Sequence, residues 1–400
     1  LGVSAPLITL ISAFAMLIAG GAAPLAAMDL GRGKLEEAEK TMGTAFASLT
    51  VMGILLMLLG YTFLEEFLRI FGASDNTMFF AKEYTSIYIL GTIFVMMSLG
   101  MNLFISSQGK SKNAMVAVLI GAITNIILDP IFIFLLGMGI KGAALATIFS
   151  QLLSAIYVLK YLISKKTLLR LKKEYIRIDF LKLGFIVALG VSTFVMRSTE
   201  SAINIVFNNQ LLKYGGDMYV GAMTIMQSAM MLIIVPLSGY IYGVQPVVSF
   251  NYGAGKIHRV KETIVVSLLF LTGISVTYYL IAASNPHIFA SFFTSDPLLT
   301  GIVTEMLPIF MLGTSLFAIQ MTAQMFFVGT GQAKTSLFIA LFRKVIMLIP
   351  LALIFPKFYG VSGVYYSEPV ADLISIAVCS ILLIKGMKQL NNYEAEQLAV

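Results

Sequence analysis

The feature that most constrains this chain is a succession of about eleven apolar runs, each near twenty residues long. A helix needs about 20 apolar residues to cross the hydrocarbon core of a bilayer. Only 12% of the residues are charged, about half the fraction that is usual in soluble domains. The sequence therefore predicts an all-α polytopic membrane protein and excludes a soluble globular one. We expect spans at 5–28, 42–63, 84–107, 114–136, 142–163, 183–208, 219–250, 264–284, 304–328, 336–356 and 363–384.

The basic residues orient these spans. The net charge of +7 could suggest nucleic-acid binding, but the charges lie in short clusters between apolar runs. If the loop 29–41 is cytoplasmic, eighteen of the 27 Lys and Arg lie on the cytoplasmic side and five on the other. Such an excess is the positive-inside signal of membrane proteins, so we expect no nucleic-acid partner. The cytoplasmic eighteen are Arg32, Lys34, Lys40, Lys110, Lys112, Lys165, Lys166, Arg170, Lys172, Lys173, Arg177, Lys182, Lys256, Arg259, Lys261, Lys334, Lys385 and Lys388.

Enzyme and metal signatures are lacking in the sequence. The one cysteine, Cys379, lies inside an apolar run, and His258 and His287 are far apart. No HExxH, P-loop, G-x-S-x-G or dinucleotide-binding motif occurs in a fitting context. We expect no enzyme activity, and no cofactor other than a coupling ion.

The two halves of the chain form an internal repeat. GAAPLAAMDLGRGK at 21–34 matches GVQPVVSFNYGAGK at 243–256 at an offset of 222, which returns at Gly109/Gly331. One residue of slip aligns Gly139 with Gly360. Six spans separate the matching loops, so the repeats are parallel, as in several transporter folds. We predict an N-lobe at 1–163, a basic cytoplasmic linker at 164–182, a C-lobe at 183–384 and a cytoplasmic tail at 385–400.

The lobes are unequal in their number of spans. The C-lobe has six and the N-lobe five, because the counterpart of span 183–208 would precede residue 1. We expect that a first helix is missing and that the chain without it does not transport. The linker 164–182 is predicted to be a solvated amphipathic loop, in preference to a nucleic-acid-binding or lipid-binding segment.

Ionisable residues at membrane depth are costly and mark functional sites. Asp129 lies four residues after Asn125, on the same helix face, and Pro130 withdraws the N–H that the carbonyl of Ile126 would receive. A carboxylate, an amide oxygen and a loosened carbonyl suit Na⁺ or a proton. The alternative is a structural Asp at a proline kink.

Two further groups of charged residues fall within spans. Glu200 has Arg197 three residues before it and Asn204 four residues after it. The carboxyl of Glu200 is a candidate proton carrier, or it forms a fixed ion pair with Arg197. In the last two spans, a neutralising partnership is predicted rather than a transport site. Its members are Arg343, Lys344, Glu368 and Asp372.

The chain resembles the multidrug and toxic compound extrusion (MATE) family of cation-coupled antiporters, and within it the MepA-like branch. The resemblance rests on GAAPLAAMDLGRGKLEEAEK, SSQGKSKNAM, TNIILDPIFIF and GMGIKGAALATIFSQ, then on YGGDMYVGAMTI, GVQPVVSFNYGAGK and MFFVGTGQAKTS. It implies twelve helices in two lobes. It also implies an N-lobe cation site that uses Asn125, Asp129 and Thr147, together with an Asp of the missing helix. Glu200 matches an acid that another branch has in the C-lobe. The tenth-helix acid of that branch is absent near Ile319 and Gln320.

The resemblance implies an antiporter of a bacterial inner membrane that exports amphipathic, cationic small molecules in exchange for Na⁺ or H⁺. We expect a monomer whose partners are these substrates and the bilayer. The alternative is a flippase for a lipid-linked precursor, for which the few intramembrane cations are unfavourable. A channel would need a ring of filter residues, and none is visible.

Overall fold

The computed structural model of the chain describes residues 4–71, 73 and 75–398. Within these residues all regular structure is helical. The helices are α1 Ala5–Gly31, α2 Leu35–Thr62, α3 Leu64–Ile70, α4 Asp75–Leu90, α5 Thr92–Ser107, α6 Ser111–Leu135, α7 Gly139–Ile163, α8 Phe180–Tyr214, α9 Asp217–Gly253, α10 Ile257–Ser284, α11 Pro286–Phe293, α12 Pro297–Gly329, α13 Ala333–Tyr359 and α14 Ser362–Leu398.

Ten of the described helices are long and apolar enough to span a membrane, and the pair α4 and α5 makes an eleventh, bent by 58°. This confirms the predicted all-α membrane fold with about eleven spans. Most helices extend beyond the apolar runs because polar turns continue them outside the hydrocarbon. The predicted tail is helical as far as Leu398 as a continuation of α14, and residues 399–400 lie outside the described part.

The chain divides into two compact units, an N-terminal unit Leu1–Ser198 and a C-terminal unit Thr199–Val400. The division falls within α8, whereas the sequence placed the start of the C-lobe at residue 183. A large apolar cluster fills the N-terminal unit, with Met42, Leu49 and Phe104 fully buried, and a small one lies around Leu68. Two apolar clusters fill the C-terminal unit, one around Phe310 and the other around Phe326.

The repeat has a counterpart in backbone geometry. Gly33 and Gly255 have positive φ angles of 75° and 68°, and each lies in the turn just after a helix, two residues beyond Gly31 and Gly253. The amide of Lys34 donates to the carbonyl of Asp29, and the amide of Lys256 to that of Asn251, both at 2.9 Å. Gly109 and Gly331 form a second matched pair, at 76° and 77°. Only glycine adopts this conformation without strain, so both units use the same turns at equivalent positions.

The linker packs against the N-terminal unit. The side-chain oxygen of Gln108 accepts hydrogen bonds from the Thr167 hydroxyl and from the amides of Leu168 and Leu169, at 2.6, 3.0 and 3.1 Å. The Leu169 side chain is fully buried. The linker is thus amphipathic, with Lys165 and Lys166 exposed, and on its buried side one side-chain amide satisfies three donors.

The other half of the linker lies on α2. Lys172 forms a 2.6 Å ion pair with Glu39, whose side chain is only 2% exposed. A hydrogen-bond network between Glu39 and the linker includes the amide of Arg170, at 3.2 Å. A Cβ on Gly43 would lie 2.1 Å from the carbonyl oxygen of Tyr175. Glycine at this position lets the linker backbone touch α2.

Candidate functional site

The Asp129 turn lies near the end of α6. The side-chain amide of Asn125 donates to the Asp129 carboxylate at 3.3 Å, and both residues are partly buried. Immediately after Pro130 the helix widens into a π-helical turn, Ile131–Leu135. Such π turns inside membrane helices are frequent at functional sites. The predicted contact between Asn125 and Asp129 is present.

Helices α4 and α7 bring two hydroxyls toward this turn. Thr147 of α7 donates its hydroxyl to the carbonyl of Ala143 at 2.9 Å. Tyr84 of α4, which is buried, has its hydroxyl near Thr147 and lies within electrostatic reach of Asp129. Asp129 thus lies beside Asn125 and within electrostatic reach of Tyr84, and Tyr84 lies near Thr147.

Sequence reasoning missed Tyr84. The motif KEYTSIY at 82–88 places two tyrosines one turn apart, and their rings stack with centroids 6.0 Å apart. A polar stripe on an otherwise apolar span is the signal that could have indicated it. Which helix that stripe faces depends on the packing of α4 against α7, which a single sequence does not define.

The Asp129 carboxylate has no ion-pair partner among the described residues. Its neighbours are neutral: the Asn125 amide, which donates to it, and the Tyr84 hydroxyl, which lies within electrostatic reach. Hard oxygen ligands of this kind suit Na⁺, and an unneutralised carboxylate also suits a proton. In the described part of the chain no three His, Cys, Asp or Glu side chains gather as a metal cluster, so a single carboxylate carries the charge here.

Glu200 has a different environment. Its side chain is 52% exposed, and its carboxylate accepts a hydrogen bond from the ammonium of Lys344, which is 6% exposed. Asn204, one turn later, accepts a hydrogen bond from Gln227 of α9 at 3.1 Å. Arg197 is partly buried. The face predicted from the sequence thus contacts two other helices, and Lys344 is a partner that sequence spacing did not indicate.

Arg343 neutralises the carboxylates of α14. Its Nη2 donates to Glu368 at 2.7 Å and its Nε donates to Asp372 at 2.5 Å. The guanidinium also lies over the ring of Phe317, 4.9 Å from its centroid. The predicted neutralising partnership is confirmed for Arg343. Both cations belong to a π-helical stretch of α13, Phe342–Leu348.

The MatE family model matches residues 1–131 and 193–354 of this chain, well over half of it. The chain belongs to the MATE family. It is therefore a transporter and not an enzyme, as the sequence predicted. The match extends over both units, in agreement with the internal repeat.

Two curated relatives and one solved structure are similar over most of the chain. The multidrug export protein MepA of Staphylococcus haemolyticus is 25% identical over 97% of this chain and 84% of that protein. MepA of Staphylococcus saprophyticus is also 25% identical, over 84% of this chain and 73% of that protein. A crystal structure of MATE in the bent conformation superposes with a TM-score of 0.90 at 22% identity, covering 98% of this chain and 88% of the other.

Proposed function

We propose that this MATE-family chain is a secondary antiporter of a bacterial inner membrane, which exports amphipathic cationic compounds in exchange for Na⁺ or H⁺ bound at Asp129. The observation that carries the proposal is a partly buried carboxylate, with neutral neighbours and lacking an ion-pair partner among the described residues. Such a group is stabilised at membrane depth when it takes up a cation. The names of the MepA relatives support export of small compounds.

The coupling ion binds within the N-terminal unit in this proposal. Asn125 and Thr147 contribute their side-chain oxygens, the Thr147 hydroxyl being oriented by its hydrogen bond to the carbonyl of Ala143, and the Tyr84 hydroxyl lies nearby. Arrival of Na⁺ or a proton removes the charge of Asp129. Alternating access then exchanges the bound cation for a substrate across the membrane, as in other parallel-repeat transporters.

The test is efflux of a cationic dye from vesicles under an imposed gradient. A Na⁺ gradient at equal pH and a pH gradient without Na⁺ distinguish the two coupling ions. Asp129→Asn should abolish the gradient-driven part of efflux and leave folding intact, because an amide cannot carry the proton or neutralise Na⁺. Glu66→Gln, at an exposed acid of α3, is the matched control. Gradient-driven efflux that survives in Asp129→Asn would refute the proposal.

The flippase alternative is less well supported. A lipid-linked precursor carries an anionic head group, for which a flippase must present positive charge. Arg343 and Lys344 are each bonded to carboxylates and are almost fully buried, so they offer little positive charge to such a group. The same vesicles, tested with a fluorescent anionic lipid, would reveal flippase activity directly.

A further inference from the structure

The linker between α7 and α8 exposes basic side chains at a membrane boundary. Helix α7 ends at Ile163 and α8 begins at Phe180, and both helices are long and apolar enough to span a bilayer. The segment between them therefore lies where the hydrocarbon ends. Lys165 and Lys166 follow α7 directly, and both are exposed. Lipid head groups beside the end of α7 thus meet two ammonium groups.

The protein does not neutralise the charges of these two lysines. In the described part of the chain neither Lys165 nor Lys166 forms an ion pair, whereas Lys172 farther along the linker pairs with Glu39 at 2.6 Å. The basic residues of the linker thus have two different environments. Lys172 attaches the linker to α2, and Lys165 and Lys166 direct their charges away from the protein.

Arg170 brings a third positive charge to the same place. Its Nη2 donates to the carbonyl of Ile163, the last residue of α7, at 3.4 Å. No acid among the described residues forms an ion pair with this guanidinium, since its side-chain bond goes to a backbone carbonyl. Arg170 therefore joins Lys165 and Lys166 in a basic patch at the end of α7.

One leucine of the linker is held with its side chain outward. The side-chain oxygen of Gln108 accepts hydrogen bonds from the amides of Leu168 and Leu169, at 3.0 and 3.1 Å. These bonds hold the backbone so that Leu169 is fully buried and the side chain of Leu168 is 58% exposed. Thr167 and Leu171 are buried as well, so the linker alternates between an inner and an outer side. An exposed leucine is unfavourable in water and suits the boundary between head groups and acyl chains.

We propose that the basic patch and Leu168 bind an anionic phospholipid of the cytoplasmic leaflet, with the lipid phosphate on Lys165, Lys166 and Arg170 and with Leu168 among the acyl chains. Basic side chains beside a membrane attract anionic head groups in this way. A lipid fits better than a nucleic acid because Leu168 and Ile163, which is 55% exposed, give the patch an apolar side that continues into α7. The linker is already docked, so binding costs little ordering. The site does not depend on the proposed function.

The test uses tryptophan fluorescence. The chain contains no tryptophan, so Leu168→Trp places a single fluorophore at the site. This variant is reconstituted into vesicles of equal parts phosphatidylcholine and phosphatidylglycerol, in which one lipid or the other has brominated acyl chains that quench tryptophan. We expect stronger quenching by brominated phosphatidylglycerol, and a smaller difference when NaCl is raised from about 0.1 M to about 1 M. Ile123→Trp, at an exposed position of α6, is the control fluorophore and should be quenched equally by both lipids.

Removal of single charges shows whether the patch causes the preference. Lys165→Gln and Lys166→Gln, each made together with Leu168→Trp, should lower the preference for phosphatidylglycerol about five-fold. Lys213→Gln, at an exposed lysine near the other end of α8, should leave it unchanged.

Two results would overturn the proposal. Quenching by neither lipid would mean that the outer side of the linker is solvated, and equal quenching by both would mean an apolar contact without recognition of charge. Amide hydrogen exchange of the wild-type linker gives a readout that needs no tryptophan. Its amides should be more protected in nanodiscs that contain phosphatidylglycerol than in those of phosphatidylcholine alone, and equal protection would contradict the proposal.

Discussion

The two units use equivalent backbone turns but differ in the charge of their polar centres. In the N-terminal unit the neighbours of Asp129 are the Asn125 amide and the Tyr84 hydroxyl, and no cation of the described chain pairs with it. In the C-terminal unit Arg343 and Lys344 are bonded to Glu200, Glu368 and Asp372. In the proposed function the N-terminal centre takes up a cation from outside the protein, whereas the C-terminal centre contains two cations of its own.

Helices that match in the repeat therefore carry side chains of different charge. In the matched helices α7 and α14, Thr147 and Gln151 correspond to Glu368 and Asp372. Two neutral side chains in one unit are thus two acids in the other, and α13 provides the cations that make those acids tolerable in an apolar interior. Equivalent positions thus belong to the candidate ion site in the N-terminal unit and to a cluster of charged side chains in the C-terminal unit.

The largest effect is expected at Arg343. Arg343→Met leaves Glu368 and Asp372 without their guanidinium, and breaking a buried ion pair from one side costs about 3–5 kcal/mol. Thermal unfolding in detergent measures the loss. The triple variant Arg343→Met, Glu368→Gln, Asp372→Asn should recover most of it. Asp129→Asn should cost under about 1 kcal/mol, because it breaks no ion pair. Equal losses in the two units would contradict the comparison.

A smaller effect is expected for Glu200 and Lys344. Glu200→Gln removes the carboxylate that is bonded to the buried ammonium of Lys344. Adding Lys344→Met removes the ammonium as well. The double variant should be more stable than Glu200→Gln alone, with a coupling energy of about 1 kcal/mol, near the low end for contacting residues because Glu200 is half exposed. A second cycle, with Arg197→Met in place of Lys344→Met, shows whether Glu200 interacts more strongly with Arg197, its partner predicted from the sequence, or with Lys344. A larger coupling with Arg197 would mean that Lys344 is not the principal partner.

Much of this fold can be predicted from local features of the sequence. The spans follow from the thickness of the bilayer, and the contact between Asn125 and Asp129 follows from their spacing of four residues on one helix. The partnership of Arg343 with Glu368 and Asp372 was expected because cations and acids face each other in consecutive spans. These features depend on one helix or on two neighbouring helices.

Contacts between distant segments could not be predicted in this way. Lys344 lies 144 residues from Glu200. It belongs to a π-helical stretch, which changes the directions of side chains from those of an α-helix. Tyr84 reaches Thr147 only because α4 packs on α7. The docked linker depends on Glu39 and Gln108, which belong to segments far from it in sequence.

A weaker effect is expected at Tyr84. Tyr84→Phe removes a hydroxyl near Thr147 and Asp129. One polar interaction is worth about 1 kcal/mol, so the coupling ion should bind about five-fold more weakly. The half-saturating Na⁺ or H⁺ concentration for dye efflux measures this. Tyr88→Phe is the matched control, because Tyr88 stacks on Tyr84 within the same helix. If both variants behave alike, the Tyr84 hydroxyl does not contribute to the site.

The smallest effect concerns the linker, whose docking on α2 is a further difference between the units. The repeat counterparts of Glu39 and Gly43 are Lys261 and Val265, and Val265 is exposed. The hydrogen bond to Glu39 raises the pKa of Lys172 above its ordinary value. A raised pKa means that the folded state favours the protonated amine, so the stabilisation is complete below the ordinary lysine pKa and is lost as the pH rises through the raised one. The protection of the amides of residues 167–175, taken relative to their base-catalysed intrinsic exchange rate, should therefore fall as the pH rises above about 10.4. In Glu39→Gln these amides should already be less protected at neutral pH, and the further loss of protection at alkaline pH should be absent. If that loss is unchanged in Glu39→Gln, another group holds Lys172.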